Sequence, residues 1–301
     1  MFLPGLIVPG WNQDLNTPIR LGSPYYLAMS IALTGTVNEN ITGQTPQNYN
    51  EDLLVRAGTT DLESSQVQFQ LPGTLAQLWS QAAVSVRSMF GQTGSARPYF
   101  RYPYPLPLPV SRFISASVLN VNGEDAGTFV FQCQQGRITT NGFVPSSIQS
   151  QAYNSGRIKG LSQAKDGGWM MDPKRLGPMQ IIPVDSQFTG TASEQTSSDG
   201  VLNPVDYDFL LLGLTSDLAL AKIQIIDVER RQWMSYLTVG GNNLCPVWAV
   251  AGTPNAQNWI QYLPLPYLIP AQRMPTFNFQ NDATAPEASG QVYMVGQQLL
   301  D

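Results

Sequence analysis

The sequence predicts an all-β fold of two tandem duplicated β-sandwich or jelly-roll domains preceded by an extended N-terminal arm. Three observations carry that expectation. Arg20-Leu21-Gly22 returns as Arg175-Leu176-Gly177 and Thr34-Gly35-Thr36 as Thr189-Gly190-Thr191, both 155 residues on. Within each half the apolar residues alternate with polar ones, the period of a strand with one buried face. The 26 Gly and 23 Pro punctuate those runs at short intervals, as sandwiches and barrels require.

The repeat is the first thing to establish, because it fixes the architecture. Glu39 and Glu194 keep the first register. Asp52, Leu54, Thr59, Asp61, Leu62 and Gln68 then match Asp208, Leu210, Thr215, Asp217, Leu218 and Gln224 at an offset of 156. Trp79 answers Trp233, and the run Leu119–Asn122 parallels Phe277–Gln280 at 158, preceded in each half by a Pro-Leu-Pro stretch (105–107 and 264–266). The chain divides accordingly into an arm (1–19), a first β domain (20–136), a linker or long loop (137–174) and a second β domain (175–301).

Val67, Phe69 and Leu71 mark one half-buried strand, Ile223 and Ile225 another, Phe129, Phe131 and Cys133 a third, and Phe277 with Phe279 a fourth. Asn122-Gly123 signals a tight turn between two strands. One short helix is expected over 74–89, where Leu75, Leu78, Trp79, Ala82 and Ala83 share a face. The linker, rich in Ser, Gln, Asn and Gly, shows no sustained period. The apolar stretch 1–11 is broken by Pro4 and Pro9 and lacks a basic lead, so it reads as an extended arm docking on a neighbour rather than a signal peptide. No run is long enough for a transmembrane helix.

Composition narrows the function. Only 12% of residues are charged, about half the usual share, so the polar surface is mostly amide and hydroxyl and can pack against copies of itself with few desolvated charges. The net charge of −5 argues against nucleic acid as a general partner. A local basic run, Arg157, Lys159, Lys165, Lys174 and Arg175, reads first as a solvated loop.

The sequence has no histidine, which removes the commonest general base and metal ligand and every Ser-His-Asp or Cys-His arrangement. It has neither a Walker A loop nor a GxGxxG after a strand. No catalytic, cofactor or metal residue is therefore assigned, and no cofactor is expected. Asp61 and Asp217 could form a carboxylate pair across a pseudo-twofold axis, but Thr-Thr-Asp and Thr-Ser-Asp read better as turns after a strand. Asp52 and Asp208 read the same way. Asn120, Asn122, Glu124 and Asp125 lack the full calcium-loop spacing and read as a hairpin turn. Cys133 and Cys245 read as small buried hydrophobes. The aromatic cluster Tyr99, Phe100, Tyr102 and Tyr104, together with Trp169, is the candidate contact for a protein partner or a glycan.

Each unit opens on Arg-Leu-Gly and passes through a strand such as 208–214. It then reaches a polar hairpin near Trp233 and ends with a proline-rich run (263–270) and two closing strands. In this the chain resembles structural proteins of bacteriophage virions, over most of residues 20–136 and 175–299. The resemblance implies a non-enzymatic subunit, made in the host cytoplasm and housed in the virion, whose partners are copies of itself and other virion proteins. A head decoration, collar, neck or baseplate component of a tailed phage is one expectation. A double jelly-roll major capsid protein of a tailless phage, where two tandem barrels let a trimer imitate a hexamer, is the alternative. The duplication favours it, and the small size of each unit for an eight-stranded barrel weighs against it. A glycan-binding virion module is a further alternative.

Overall fold

The computed structural model describes residues 17–47, 50–71, 76–78, 82–92, 99–146, 157–198, 205–237, 244–252 and 260–300. Nearly every element is a strand. In the first half one sheet runs Pro24–Thr34, Asp125–Thr139, Asp52–Thr60, Phe100–Leu108, with all of these neighbours antiparallel. The sheet facing it runs Asn40–Gln44, Ser115–Leu119, Gln66–Leu71, Ala76–Leu78. In chain order these are strands 1-8-3-6 and 2-7-4-5, the arrangement of an eight-stranded jelly roll.

The second half has the same order. One sheet runs Leu176–Asp185, Gln291–Leu299, Phe209–Ser216, Gln261–Ile269, and the other runs Gln195–Ser197, Thr276–Gln280, Lys222–Ile226, Cys245–Pro246, the last answering Val84–Ser85, which also pairs with Gln66–Leu71 in the first unit. Each unit thus holds all eight strands, and its modest length is no obstacle: the facing strands are only two to six residues long.

The inward side chains fill the space between the sheets. In the first unit Phe69 meets Phe129 and Phe131 edge-on at 5.5 and 5.7 Å, and Phe90 lies 4.9 Å from Phe129. Such edge-to-face pairs add to the area term. Leu27, Met29, Val67 and Val118 complete a cluster shut off from solvent.

The register corrects parts of the sequence alignment. Leu78 sits opposite Phe69 as Trp233 bonds opposite Ile225, so Leu78 rather than Trp79 holds the place of Trp233; Trp79 lies outside the described residues. In the last strands Leu119 pairs with Gln66 and Gln280 with Lys222, which sets Asn120 against Asn281, an offset of 161 rather than 158. The expected helix over 74–89 is absent from its described residues. Ala76–Leu78 and Val84–Ser85 are strands paired to Gln66–Leu71, and only Val86–Ser88 forms a single 3-10 turn. Tertiary pairing with Gln66–Leu71 overrides the local helical preference of these short described pieces.

The linker also holds more order than its composition suggested. Gly142–Pro145 extends the first unit by pairing with Gly136–Thr139. Leu161–Gln163 and Trp169–Met171 form a hairpin, and Ile19–Arg20 joins it as a third strand. Of the expected arm, residues 1–16 lie outside the described residues. This small sheet lays Met171 and Ile158 over Leu210, Leu212 and Leu268, on the outward face of the second unit's large sheet.

The corresponding outward face of the first unit is covered by the second unit itself. Tyr26, Ala28 and Val130 belong to the same buried cluster as Trp233, Leu263 and Tyr267. Met234–Leu237 pairs in parallel with Tyr26–Met29, and the Tyr26 N–H donates to the Trp233 carbonyl at 2.7 Å. The Gln132 side-chain amide donates to the Tyr262 carbonyl at 2.8 Å, and the Gly22 N–H to the Pro266 carbonyl at 3.0 Å. Arg231 fastens the rim: its guanidinium reaches Asp227 at 3.3 Å, Glu51 at 3.5 Å and the Ser23 hydroxyl at 2.9 Å.

Trp233 is fully buried with its ring 4.9 Å from that of Tyr267. Trp233→Ala is expected to cost about 3–5 kcal/mol of stability, the range for emptying a large aromatic site. The shift in urea midpoint checks this.

Candidate functional site

The candidate acids are bound within their own units. Asp61 accepts the Thr128 N–H at 2.6 Å, and Asp217 accepts the Gln291 N–H at 2.5 Å and the Tyr293 hydroxyl at 3.2 Å. Burial raises the Asp61 pKa, and the Thr128 N–H only partly opposes that. Each carboxylate pins the closing strand of its jelly roll to the turn after the third strand, so the two do not work as a dyad. Asp52 accepts the N–H groups of Val110 (2.9 Å) and Ile138 (2.7 Å), and Asp208 that of Ala271 (2.8 Å).

The residues expected in a hairpin turn do the same kind of work, although their turn crosses between Ser115–Leu119 and Asp125–Thr139, which lie in opposite sheets and do not pair. The Asn120 side chain exchanges two hydrogen bonds with the Glu124 backbone, and Asn281 does so with Glu287. The Glu124 carboxylate then accepts the N–H groups of Glu63 and Ser64 and the Ser65 hydroxyl, while Glu287 accepts those of Ala219 and Leu220. Burial works against the Glu124 charge, but the Ser65 hydroxyl and the two N–H groups outweigh it and hold this carboxyl below its usual range. Among the described residues no cluster of three acidic or thiol side chains could hold a metal ion.

The aromatic cluster is split by its strand. Tyr99 turns inward and its hydroxyl donates to the Ala249 carbonyl of the second unit at 2.5 Å. Tyr102 is buried beside Phe90. Phe100 and Tyr104 face solvent, Tyr104 at 88% exposure. Trp169 lies in the small connecting sheet, half-buried against the second unit, beside a cleft of about 500 Å³ that Glu51, Asp52, Arg137 and Gln163 also line. The five residues therefore do not form one binding face. Tyr99 and Tyr102 are used by the fold, Phe100 and Tyr104 form one exposed spot, and Trp169 belongs to another element.

Of the basic run, Arg157, Lys159, Lys165 and Lys174 are exposed around the connecting sheet, and Asp166 of the same sheet pairs with Arg20. The sequence reading missed Met179 and Ile181, exposed at 41% and 44% on the edge strand Leu176–Asp185. The signal was present: apolar residues there fall on both faces, Ile182 and Val184 on one and Met179 and Ile181 on the other.

No protein-family model matches this chain, and no curated protein does. Among solved structures the chain is similar to the CUB1-EGF-CUB2 domain of human MASP-1/3, at 9% identity over 89% of this chain and 99% of that one, with a TM-score of 0.19. It is also similar to the coconut allergen cocosin, at 7% identity over 93% of this chain and 86% of that one, with a TM-score of 0.17. A likeness at these scores carries no argument about this chain.

Two outcomes follow from the local chemistry. Glu124 has a lowered folded pKa, so its stabilising contribution is complete above the unfolded value of about 4.3 and disappears as pH falls through the folded value. Glu124→Gln should therefore lose less stability than the wild type on acidification from pH 7 to pH 3, as measured by denaturant midpoints. Cys133 and Cys245 are both buried with free thiols, and burial pushes Cys245 up to about 12 and Cys133 up as well. Neither should react with a maleimide in the native protein, and both should react in denaturant.

Proposed function

We propose that this chain is a structural shell subunit of a virion, of the double jelly-roll kind expected in tailless phages, in preference to a tailed-phage decoration or collar component. One observation carries the reading: a single chain folds two complete eight-stranded jelly rolls of identical strand order and seats the second against the outer face of the first. The matched bonds of Asp61 with Asp217, Asn120 with Asn281 and Glu124 with Glu287 support one duplicated unit behind both halves.

The interiors support a role carried by surfaces. Phe69, Phe90, Phe129 and Phe131 occupy the first barrel, and Phe277, Phe279 and Phe188 the second, where a ligand-binding jelly roll would keep a cavity. The low-charge exterior suits close packing of many copies. Two jelly rolls per chain let three chains present six similar units around one axis, a geometry that tiles a shell.

Purified full-length protein should form discrete oligomers of three chains or closed shells, seen by mass photometry and electron microscopy. A protein that stays monomeric at high concentration and binds glycan arrays would overturn the reading in favour of a glycan-binding module.

A further inference from the structure

The junction inside the chain is head-to-tail: it uses one surface of the first unit and a different surface of the second. Each unit therefore keeps the surface its sister has used. A row of paired residues crosses each large sheet and locates these surfaces. In the first unit the row is Tyr26, Gln132, Ala57, Arg101; in the second it is Ile181, Val295, Gly213, Tyr262.

In the receiving surface of the first unit, Tyr26 and Ala28 are fully buried beneath the second unit. The same positions in the second unit are Ile181 and Pro183, both exposed, with Met179 next on the same face. In the inserting surface of the second unit, Leu265 lies against Gly22, and the neighbouring Pro266 accepts the Gly22 N–H. Leu265 stands three residues beyond Tyr262 as Tyr104 stands three beyond Arg101, with Pro266 and Pro105 following. Tyr104, at Leu265's position, is the most exposed large apolar side chain among the described residues.

We propose that these two vacant surfaces dock on each other between copies of this chain, with Tyr104 of one copy set against the Met179, Ile181 and Pro183 stripe of the next. The proposal rests on the shell-subunit reading and names its contact. A heterologous contact of this kind repeats from copy to copy and closes into a ring or continues as a filament. The contact is made face to face rather than by strand addition. In the first unit the edge strand receives Met234–Leu237, with the Tyr26 N–H pointing to it. At Ala28, two residues on, the second unit has Pro183, which has no N–H to give. The bare edge is thus blunted against a ladder while its apolar face remains available.

The test uses the full chain in three forms: wild type, Tyr104→Glu and Ile181→Glu. Both side chains are exposed, so each variant should keep the wild-type thermal midpoint and tryptophan fluorescence. Wild type should associate. Each variant alone should sediment as a single chain, because every contact then contains one charged surface. An equimolar mixture should give two-chain complexes and nothing larger, since the intact stripe of the Tyr104→Glu copy meets the intact Tyr104 of the Ile181→Glu copy only once. Tyr104→Gln and Ile181→Gln, which add no charge, should weaken association in the same pairwise way. Variants that assemble like the wild type, or that stay single chains when mixed, overturn this contact and leave the shell-subunit reading standing. A wild type that never associates overturns both.

Discussion

The outward face of a large sheet is the constraint on which this structure depends. A jelly roll buries one face of each sheet in its own interior, and the other face ordinarily meets water. Here the strands Asp125–Thr139 and Phe209–Ser216 are buried on both faces, with buried residues in unbroken runs rather than in alternation. Each of these faces needs a cover. The second unit covers the first, and the sheet built from Ile19–Arg20 and the 157–171 segment covers the second. The chain is consequently three packed layers of interaction rather than two beads on a string. Tyr26, Ala28 and Val130, buried in one cluster with Trp233, supply the apolar anchor, and Arg231, held by Asp227 and Glu51, closes the polar rim around it.

Within each unit a small set of polar side chains determines how the loops close. Jelly-roll strands are joined across the ends of the sandwich, where backbone N–H groups would otherwise lie unpaired away from water. Asp61, Asn120 and Glu124 satisfy those groups in the first unit, and Asp217, Asn281 and Glu287 do so in the second. Gly127 and Gly290 belong to the same device. An added Cβ would fall 2.4 Å from Leu62 in one and 2.3 Å from Leu218 in the other, so only glycine lets the closing strand approach. The acids that looked most like chemistry are thus fixed in the architecture.

Much of the interior was legible because it obeys local rules. The alternation around Phe69, Ile223 and Phe277 identified strands whose inward residues are the buried ones, while the Phe129 strand, expected to be half-buried, is buried on both faces. Turn chemistry located Asp61, Asp217 and the turn at Asn122-Gly123, where Gly123 has a positive φ of 76°, but that turn links strands of opposite sheets and is not a hairpin. What failed were readings that depend on partners distant in sequence. The 74–89 segment carries a helical spacing, yet its residues 76–78 and 84–85 pair as strands, because Gln66–Leu71 offers them an edge. The 157–171 segment has no period to read, because its order comes from lying on Leu210 and Leu268. Tyr99 to Tyr104 looked like one cluster, but the strand's register shifts between Arg101 and Leu106, Tyr102 is buried while Tyr104 stays in solvent, and the second unit's Ala249 claims Tyr99.

The sequence by itself determined that the chain is all-β, that its two halves share turn and strand residues in the same order, and that its exterior is poor in charge. Those properties reside in spacing and composition, which each segment carries wherever it lies. The tertiary structure alone decided the strand order, the register that sets Asn281 rather than Asn278 against Asn120, and which outward faces are covered. It also decided which apolar residues are left bare: Tyr26 and Ile181 occupy the same place in their sheets, and only the packing of one unit on the other makes one buried and the other exposed.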